Sequence, residues 1–434
     1  MFMIKLIDWS DISQRAELYK ILHRGEESLE KYYKPVFDII QQVKTLGDTA
    51  LVNYTLQFDK FKLNEKNYFF DKNDFKNAYN SLDSNIKSIL KEAASRIEKY
   101  HSFQKSNSFF TYEDNGTILG QKITPIDSVG LYVPGGKALY PSTVLMTGIP
   151  AKVAGVNKIY ITSPVFDKNS AKIVLAAAHL IDAEKLYKIG GAQAVAALAY
   201  GTDLIDKVDK VVGPGNIYVT VAKKLLFGVI DIDMIAGPSE ILIIADDTAD
   251  TDYLTYDLFS QAEHDELASS ILITDSKKVA LEVKEKVTKY VRNIERSEIL
   301  EKSIKNNGAI ILTENLKEAV AITNEIAPEH LEIITESPFD LMPKIKNAGA
   351  IFLGKYSPEP IGDYIAGPNH VLPTGGTAKF FSPLGVYDFC KRSSIISFSK
   401  ENFEKLKSHV STFAMLEGLH SHAKSINIRS EKSE

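Results

Sequence analysis

Cysteine is almost missing from this chain: 434 residues contain one, Cys390. That excludes an intramolecular disulfide, a cysteine-rich zinc module and a cysteine-ligated iron–sulfur cluster. Long apolar runs are missing too. The longest uncharged stretch, Tyr364–Ala378, holds three Gly and two Pro and falls short of the ~18 apolar residues of a membrane span. Lys5, Asp8, Asp11 and Arg15 interrupt the first twenty residues, so no signal-peptide core is expected. Neither charge dominates: 51 basic against 56 acidic side chains give a formal charge of -5. Such a balance offers no electrostatic case for nucleic acid or an anionic membrane. There is no repeat at a solenoid period and no low-complexity tract. A soluble, cytoplasmic protein is expected.

What remains is ordinary globular composition, 44% hydrophobic and 25% charged, in a chain long enough for two to four domains at ~150 residues each. The first hundred residues read mostly as helix, with Val36, Ile39, Ile40 and Val43 at helical spacing and Leu82–Phe103 repeating the pattern. From about Ile123 short apolar runs alternate with helical segments. Val129–Pro134, Lys158–Pro164, Lys185–Gly190 and Lys210–Val212 read as strands, as do Ile241–Asp246, Ser270–Thr274, Ala309–Thr313 and Ala350–Leu353. Strands that are apolar throughout and alternate with helices predict parallel sheets covered on both faces. The fold class is therefore α/β: two doubly wound, incomplete Rossmann-like domains, in blocks 131–238 and 239–378, with helical N- and C-terminal segments. The last fifty residues read as helix, with a charged, frayed end at Ser430–Glu434.

Histidine is scarce, and six of nine fall in the C-terminal 40%. Gln261 and His264 lie three apart late in an expected helix, so an imidazole and an amide oxygen share a face. A metal could use both; an exposed helix end is the plainer alternative. In Ala327-Pro328-Glu329-His330, Pro328 should end a helix and leave Glu329 and His330 at a helix-to-strand junction. Such a pair can serve as two general bases, or as a solvated pair in a loop. Gly362–His370 reads as a long glycine-punctuated loop carrying Asp363, a possible oxygen ligand. Glu417, His420 and His422 add a carboxylate and two imidazoles in the helical tail. Glycine turns follow three expected strands, at Gly135-Gly136, Gly190-Gly191 and Gly213-Pro214-Gly215. Each could bring N–H groups to a pyrophosphate, or be only a tight turn; none is the G-x-G-x-x-G fingerprint.

Taken together, the motifs GLYVPGG (130–136), GGAQAVAALAYGT (190–202), GPGNIYVTVAK (213–223), AGPSEILIIAD (236–246), SQAEHDE (260–266), APEHLE (327–332) and GDYIAGPNHVLPT (362–374) resemble the histidinol dehydrogenase family. The resemblance runs in the family's order over nearly the whole chain. It implies oxidation of L-histidinol through L-histidinal to L-histidine, the last steps of histidine biosynthesis, with reduction of two NAD molecules. It also implies one Zn²⁺ per subunit, held by Gln261, His264, Asp363 and His422. Glu329 and His330 match the catalytic pair, Ser239 and Glu417 substrate contacts, and Tyr132, Gln193 and Asn216 NAD contacts. Substrate contact is further implied for Gln261, His264, His330, Asp363 and His422. The implied domains are an N-terminal helical arm (1–26), a zinc and catalytic domain (27–130 with 239–378), an NAD-side domain (131–238) and a dimerising helical tail (379–434). An intertwined homodimer with shared active sites follows from the same resemblance. Cys390 lies outside every motif, which disfavours a thiohemiacetal route and makes it a small apolar filler. A zinc hydrolase and a purely structural or binding protein are the competing classes.

Overall fold

The computed structural model describes residues 4–22, 26–135 and 139–431. Gly136 of the first glycine turn and residues 432–434 of the expected frayed end lie outside them, as do six residues of the expected N-terminal arm, 1–3 and 23–25. The chain divides into two compact units, Met1–Gln104 with Ile126–Phe389, and Lys105–Pro125 with Cys390–Glu434. Among the described residues no helix is long and apolar enough to cross a membrane.

The larger unit holds two six-stranded sheets. In the first, all strands are parallel, in spatial order Lys5–Asp8, Gly308–Leu312, Ser269–Thr274, Glu240–Ala245, His330–Ile334, Ala350–Leu353. Its central strand shows why the apolar runs were continuous. Ile241, Ile243 and Ala245 pack into one core cluster, whereas Leu242 and Ile244 pack into another on the opposite face. A period of two with both faces buried leaves no polar position. Chain order runs outward from Glu240–Ala245 through Ser269–Thr274 to Gly308–Leu312, then jumps back to His330–Ile334 on the other side. The switch point lies between the strands that begin at Glu240 and His330.

The second sheet runs Phe69–Phe70, Lys185–Tyr187, Lys158–Thr162, Ser128–Tyr132, Lys210–Val212, Asp231–Ile232. All of its pairs are parallel except the edge strand Phe69–Phe70. Its switch point lies between Ser128–Tyr132 and Lys210–Val212. Helices Glu26–Leu46 and Asp48–Asp59 pack here: Val36, Ile39, Ile40, Val43 and Leu51 join Val195, Leu198 and Val219 in one cluster. The grouping read from the sequence placed residues 27–130 with 239–378 instead.

The smaller unit is a three-stranded antiparallel sheet, Phe109–Tyr112, Ile118–Pro125 and Cys390–Ser397, with helices Lys400–Leu416 and His420–Glu431. Here the structure corrects two expectations. Cys390–Ser397 is a strand, not part of a helical tail, and Cys390 is half-buried at its start. At the other terminus, the first element among the described residues is the strand Lys5–Asp8 rather than a helix.

Candidate active site

Glu329 and His330, the expected acid–base pair, sit at the amino edge of the first sheet, at its switch point. Helix Leu316–Ile326 ends with Ala327 at φ +55°, and Pro328 follows before the strand His330–Ile334 begins. Both side chains are buried, with Glu329 at 6% and His330 at 4% exposure. The neighbouring strand anchors them through one residue. Glu240 N–H donates to Glu329 Oε2 at 2.8 Å, and His330 Nδ1–H donates to the Glu240 carbonyl at 2.9 Å. That second bond sets the tautomer, so a neutral His330 presents Nε2 as an acceptor. Nε2 is buried without a hydrogen-bond partner and lies 3.9 Å from Asp363 Oδ1.

Burial pushes the Glu329 carboxyl up to about 8, the nearby His330 pulling it the other way. For His330 burial alone would lower the value, but the carboxylates of Glu329, Glu359 and Asp363 raise it to about 9. Buried groups with such displaced values beside one another are typical of acid–base sites.

The oxygen and nitrogen ligand candidates come from two elements beside this pair. Helix Thr251–Ala262 ends just before His264, whose N–H turns back to the Gln261 carbonyl at 3.2 Å. His264 is therefore an exposed turn residue rather than a helical one, while Gln261 is 1% exposed. Helix Glu359–Tyr364 carries Asp363, so the first three residues of the expected loop Gly362–His370 are helical and the rest is irregular. It tolerates Gly362 because any Cβ there would lie 2.6 Å from the Phe352 ring. His370, further along, donates through Nδ1 to the Asp363 carbonyl at 3.1 Å.

Ligand atoms of His264, Glu359 and Asp363 lie within 4.8 Å of one another. Glu359 is the residue that sequence reasoning missed. It is 2% exposed, accepts from Ser260 Oγ at 2.9 Å, and its N–H donates to Glu332 Oε1 at 2.7 Å. Burial raises its carboxyl above the usual range. Its flanks, Pro358 and Pro360, mark a helix start and were the available signal.

A metal fits this donor set. Both polar ends of the Gln261 amide are buried with no partner in the protein, a cost of ~1–3 kcal/mol per group unless something else satisfies them. One imidazole, carboxylates and an amide oxygen are a mixed N/O set suited to Zn²⁺. Ser239 immediately precedes the strand Glu240–Ala245, on the same edge. Glu417 and His422 belong to the smaller unit, where both are exposed: Glu417 caps the helix Lys400–Leu416 and His422 lies in the helix His420–Glu431.

The nucleotide candidates gather at the carboxyl edge of the second sheet. Tyr132 ends one switch-point strand and Gly213 follows the other, where open α/β sheets bind ligands. Tyr132 is buried and its phenol oxygen accepts from Gly191 N–H at 2.9 Å; burial pushes it up to about 12. Gln193 is buried in the helix Gly191–Tyr200. Exposed Asn216 caps the helix Ile217–Leu226, accepting from Tyr218 and Val219 N–H. The glycine turns at Gly190-Gly191 and Gly213-Pro214-Gly215, each leading into a helix at this sheet edge, are a fit for a dinucleotide.

Comparison with known proteins agrees over the full length. A family model described as Histidinol dehydrogenase matches residues 22–430. Histidinol dehydrogenase of Sulfurimonas denitrificans is 49% identical over 418 residues, covering 96% of this chain and 97% of that protein. That of Clostridium acetobutylicum is 51% identical over 407 residues, 94% of each. The crystal structure of histidinol dehydrogenase from Elizabethkingia anophelis has a TM-score of 0.91 at 32% identity, covering 99% of each chain. With matches of this extent in sequence and in backbone, the chain belongs to the histidinol dehydrogenase family.

Proposed function

We propose that the chain oxidises L-histidinol through L-histidinal to L-histidine, with zinc and NAD. The observation that carries the reading is the Gln261 amide, buried and unpartnered beside the His264–Glu359–Asp363 cluster and 1% exposed. A protein retains such a group where an outside ligand completes it. Gln261, His264 and Asp363 would hold the metal, with Glu359 against them. Following the family resemblance, the partner's His422 is the fourth ligand and the partner's Glu417 contacts substrate, in a homodimer. Zinc, when bound, orients the substrate and polarises its oxygen. NAD, when bound at Tyr132, Gln193 and Asn216, accepts the hydride.

The chain's own residues then divide the protons. Once the ring is neutral, His330 Nε2 is an acceptor because Nδ1–H is held by the Glu240 carbonyl, and it takes the proton of the substrate hydroxyl in the alcohol step. Glu329 takes a proton from water as that water adds to the aldehyde carbon. A carboxyl lifted toward neutrality is matched to that task. His330 serves again when the resulting hydrate gives up its second hydride and a proton. The anchors from Glu240 let neither base drift.

The test is production of NADH. Purified protein given histidinol and NAD should form NADH, a chelator should stop it, and added Zn²⁺ should restore it. Full activity of the chelated protein would overturn the metal reading, and substrate hydrolysis without NADH would replace it with a zinc hydrolase.

A further inference from the structure

A buried ion pair lies away from the acid–base site and serves the second sheet. Lys223 and Asp233 are paired with side-chain exposures of 4% and 1%. A buried pair pays desolvation on both charges, and apolar residues of like volume often stabilise as well or better. The pair therefore calls for a geometric reason, and its remaining hydrogen bonds supply one. Asp233 Oδ2 accepts from Gly213 N–H at 2.7 Å, while Lys223 Nζ donates to the Gly213 carbonyl at 2.8 Å. One residue's two backbone groups are thus held by opposite charges. Asp233 Oδ1 also accepts from Met234 N–H at 2.7 Å, which fixes the carboxylate itself.

Gly213 is the residue that turns the chain at the switch point. Its φ of +114° suits glycine alone, and a Cβ there would run into the Tyr132 carbonyl oxygen. Three residues later Asn216 caps the helix that carries Lys223. The turn Gly213–Asn216 is consequently pinned at both ends: by the ion pair at Gly213 and by the cap at Asn216. Lys223 comes from the helix that follows the turn, and Asp233 from the segment after the outermost strand. Three elements converge on one peptide.

We propose that Lys223 and Asp233 are positioning residues for the nucleotide, holding Gly213 so that the turn through Asn216 presents a preformed dinucleotide site. The inference rests on the NAD reading of this sheet edge. A preformed turn spares the ordering entropy that binding would otherwise cost, so loosening it weakens nucleotide binding without touching the metal site.

The double variant Lys223→Met/Asp233→Asn removes both charges together and leaves neither stranded. Lys223→Arg, which keeps the buried charge but changes the donor that reaches the Gly213 carbonyl, is the milder second variant. NAD affinity would be measured by ligand titration, Zn²⁺ affinity by competition with a chromophoric chelator, and melting temperature on the same samples. The expected result is an NAD dissociation constant raised about 10–100-fold in the double variant, the size of second-shell effects generally, and less in the single variant. Zn²⁺ affinity should stay within about threefold, and KM for NAD should rise more than kcat falls. A folded double variant, or Lys223→Arg if the double does not fold, that binds NAD as tightly as the parent overturns the proposal. A parent protein that binds Zn²⁺ but no NAD overturns the nucleotide reading, and the positioning role with it.

Discussion

Glu329→Gln separates what the carboxyl does from what the side chain holds. Glu329 is buried, and its Oε2 takes the Glu240 N–H at 2.8 Å. A glutamine oxygen can accept the same bond in the same volume, so the fold should lose less than ~1.5 kcal/mol. The base is lost altogether. Histidinal oxidation should fall by about 10²–10⁴-fold, the usual contribution of a positioned general base, while histidinol oxidation to the aldehyde should fall less than about tenfold. Stability carries a second signature in chelator-treated protein. Burial lifts Glu329 from 4.5 to about 8, and neighbouring carboxylates lift His330 from 6.5 to about 9. Both shifts favour the protonated group in the folded chain, so unfolding releases protons and stability falls as pH rises. The Glu329 contribution is complete below about 4.5 and gone above about 8; that of His330 is complete below about 6.5 and gone above about 9. Urea unfolding across that range should therefore show parent stability falling more steeply than that of Glu329→Gln. Each retained proton adds up to about 1.4 kcal/mol per pH unit. Parallel slopes, or equal losses in the alcohol and aldehyde steps, would refute the assignment.

Gln261→Met should act with opposite signs on stability and on binding. Without its two unpartnered buried atoms the chelated protein should unfold about 1–3 kcal/mol later, whereas Zn²⁺ affinity should drop at least about tenfold, both read by denaturation with and without metal. His264→Ala and His422→Ala, each inactive, should regain about a quarter of parental activity when refolded together. Half the random dimers are then mixed, and each carries one intact site of two. A dead mixture containing mixed dimers would place each site within one chain.

The parts of the fold that were legible are those whose signal is local. Strand Glu240–Ala245 is buried on both faces, so its sequence is apolar at every interior position and cannot be mistaken for a surface helix. The antiparallel sheet gives no such signal. Ile118–Pro125 and Cys390–Ser397 are mostly exposed or half-buried, and they pair across most of the chain length. Neither strand has a pattern of its own until the other is beside it. The site divides similarly. Pro328 made the helix-to-strand junction at Glu329 readable, but Glu359 matters because of where its short helix lands, and nothing near it in sequence says that His264 will be its neighbour.

The two candidate sites lie at opposite edges of their sheets, and backbone chemistry accounts for the difference. At its carboxyl edge the second sheet leads into helix N-termini and glycine turns, which favour a phosphate-bearing ligand. At the amino edge of the first sheet, Glu240 begins its strand with both backbone groups bonded to side chains. Its N–H fixes a carboxylate and its carbonyl fixes an imidazole, a division of labour that one peptide can perform only where the ladder begins. The rule that open α/β sheets bind at their carboxyl edge thus points to the nucleotide side alone. A site that must bury two bases and several carboxylates needs donors and acceptors in pairs, and the start of a central strand supplies them. The Gln261 amide and His330 Nε2, which take no bond from Glu240, are buried without a hydrogen-bond partner. His330 Nε2 lies 3.9 Å from Asp363 Oδ1, and Gln261 is three residues before His264, so these two unsatisfied groups belong to the elements that form the His264–Glu359–Asp363 cluster.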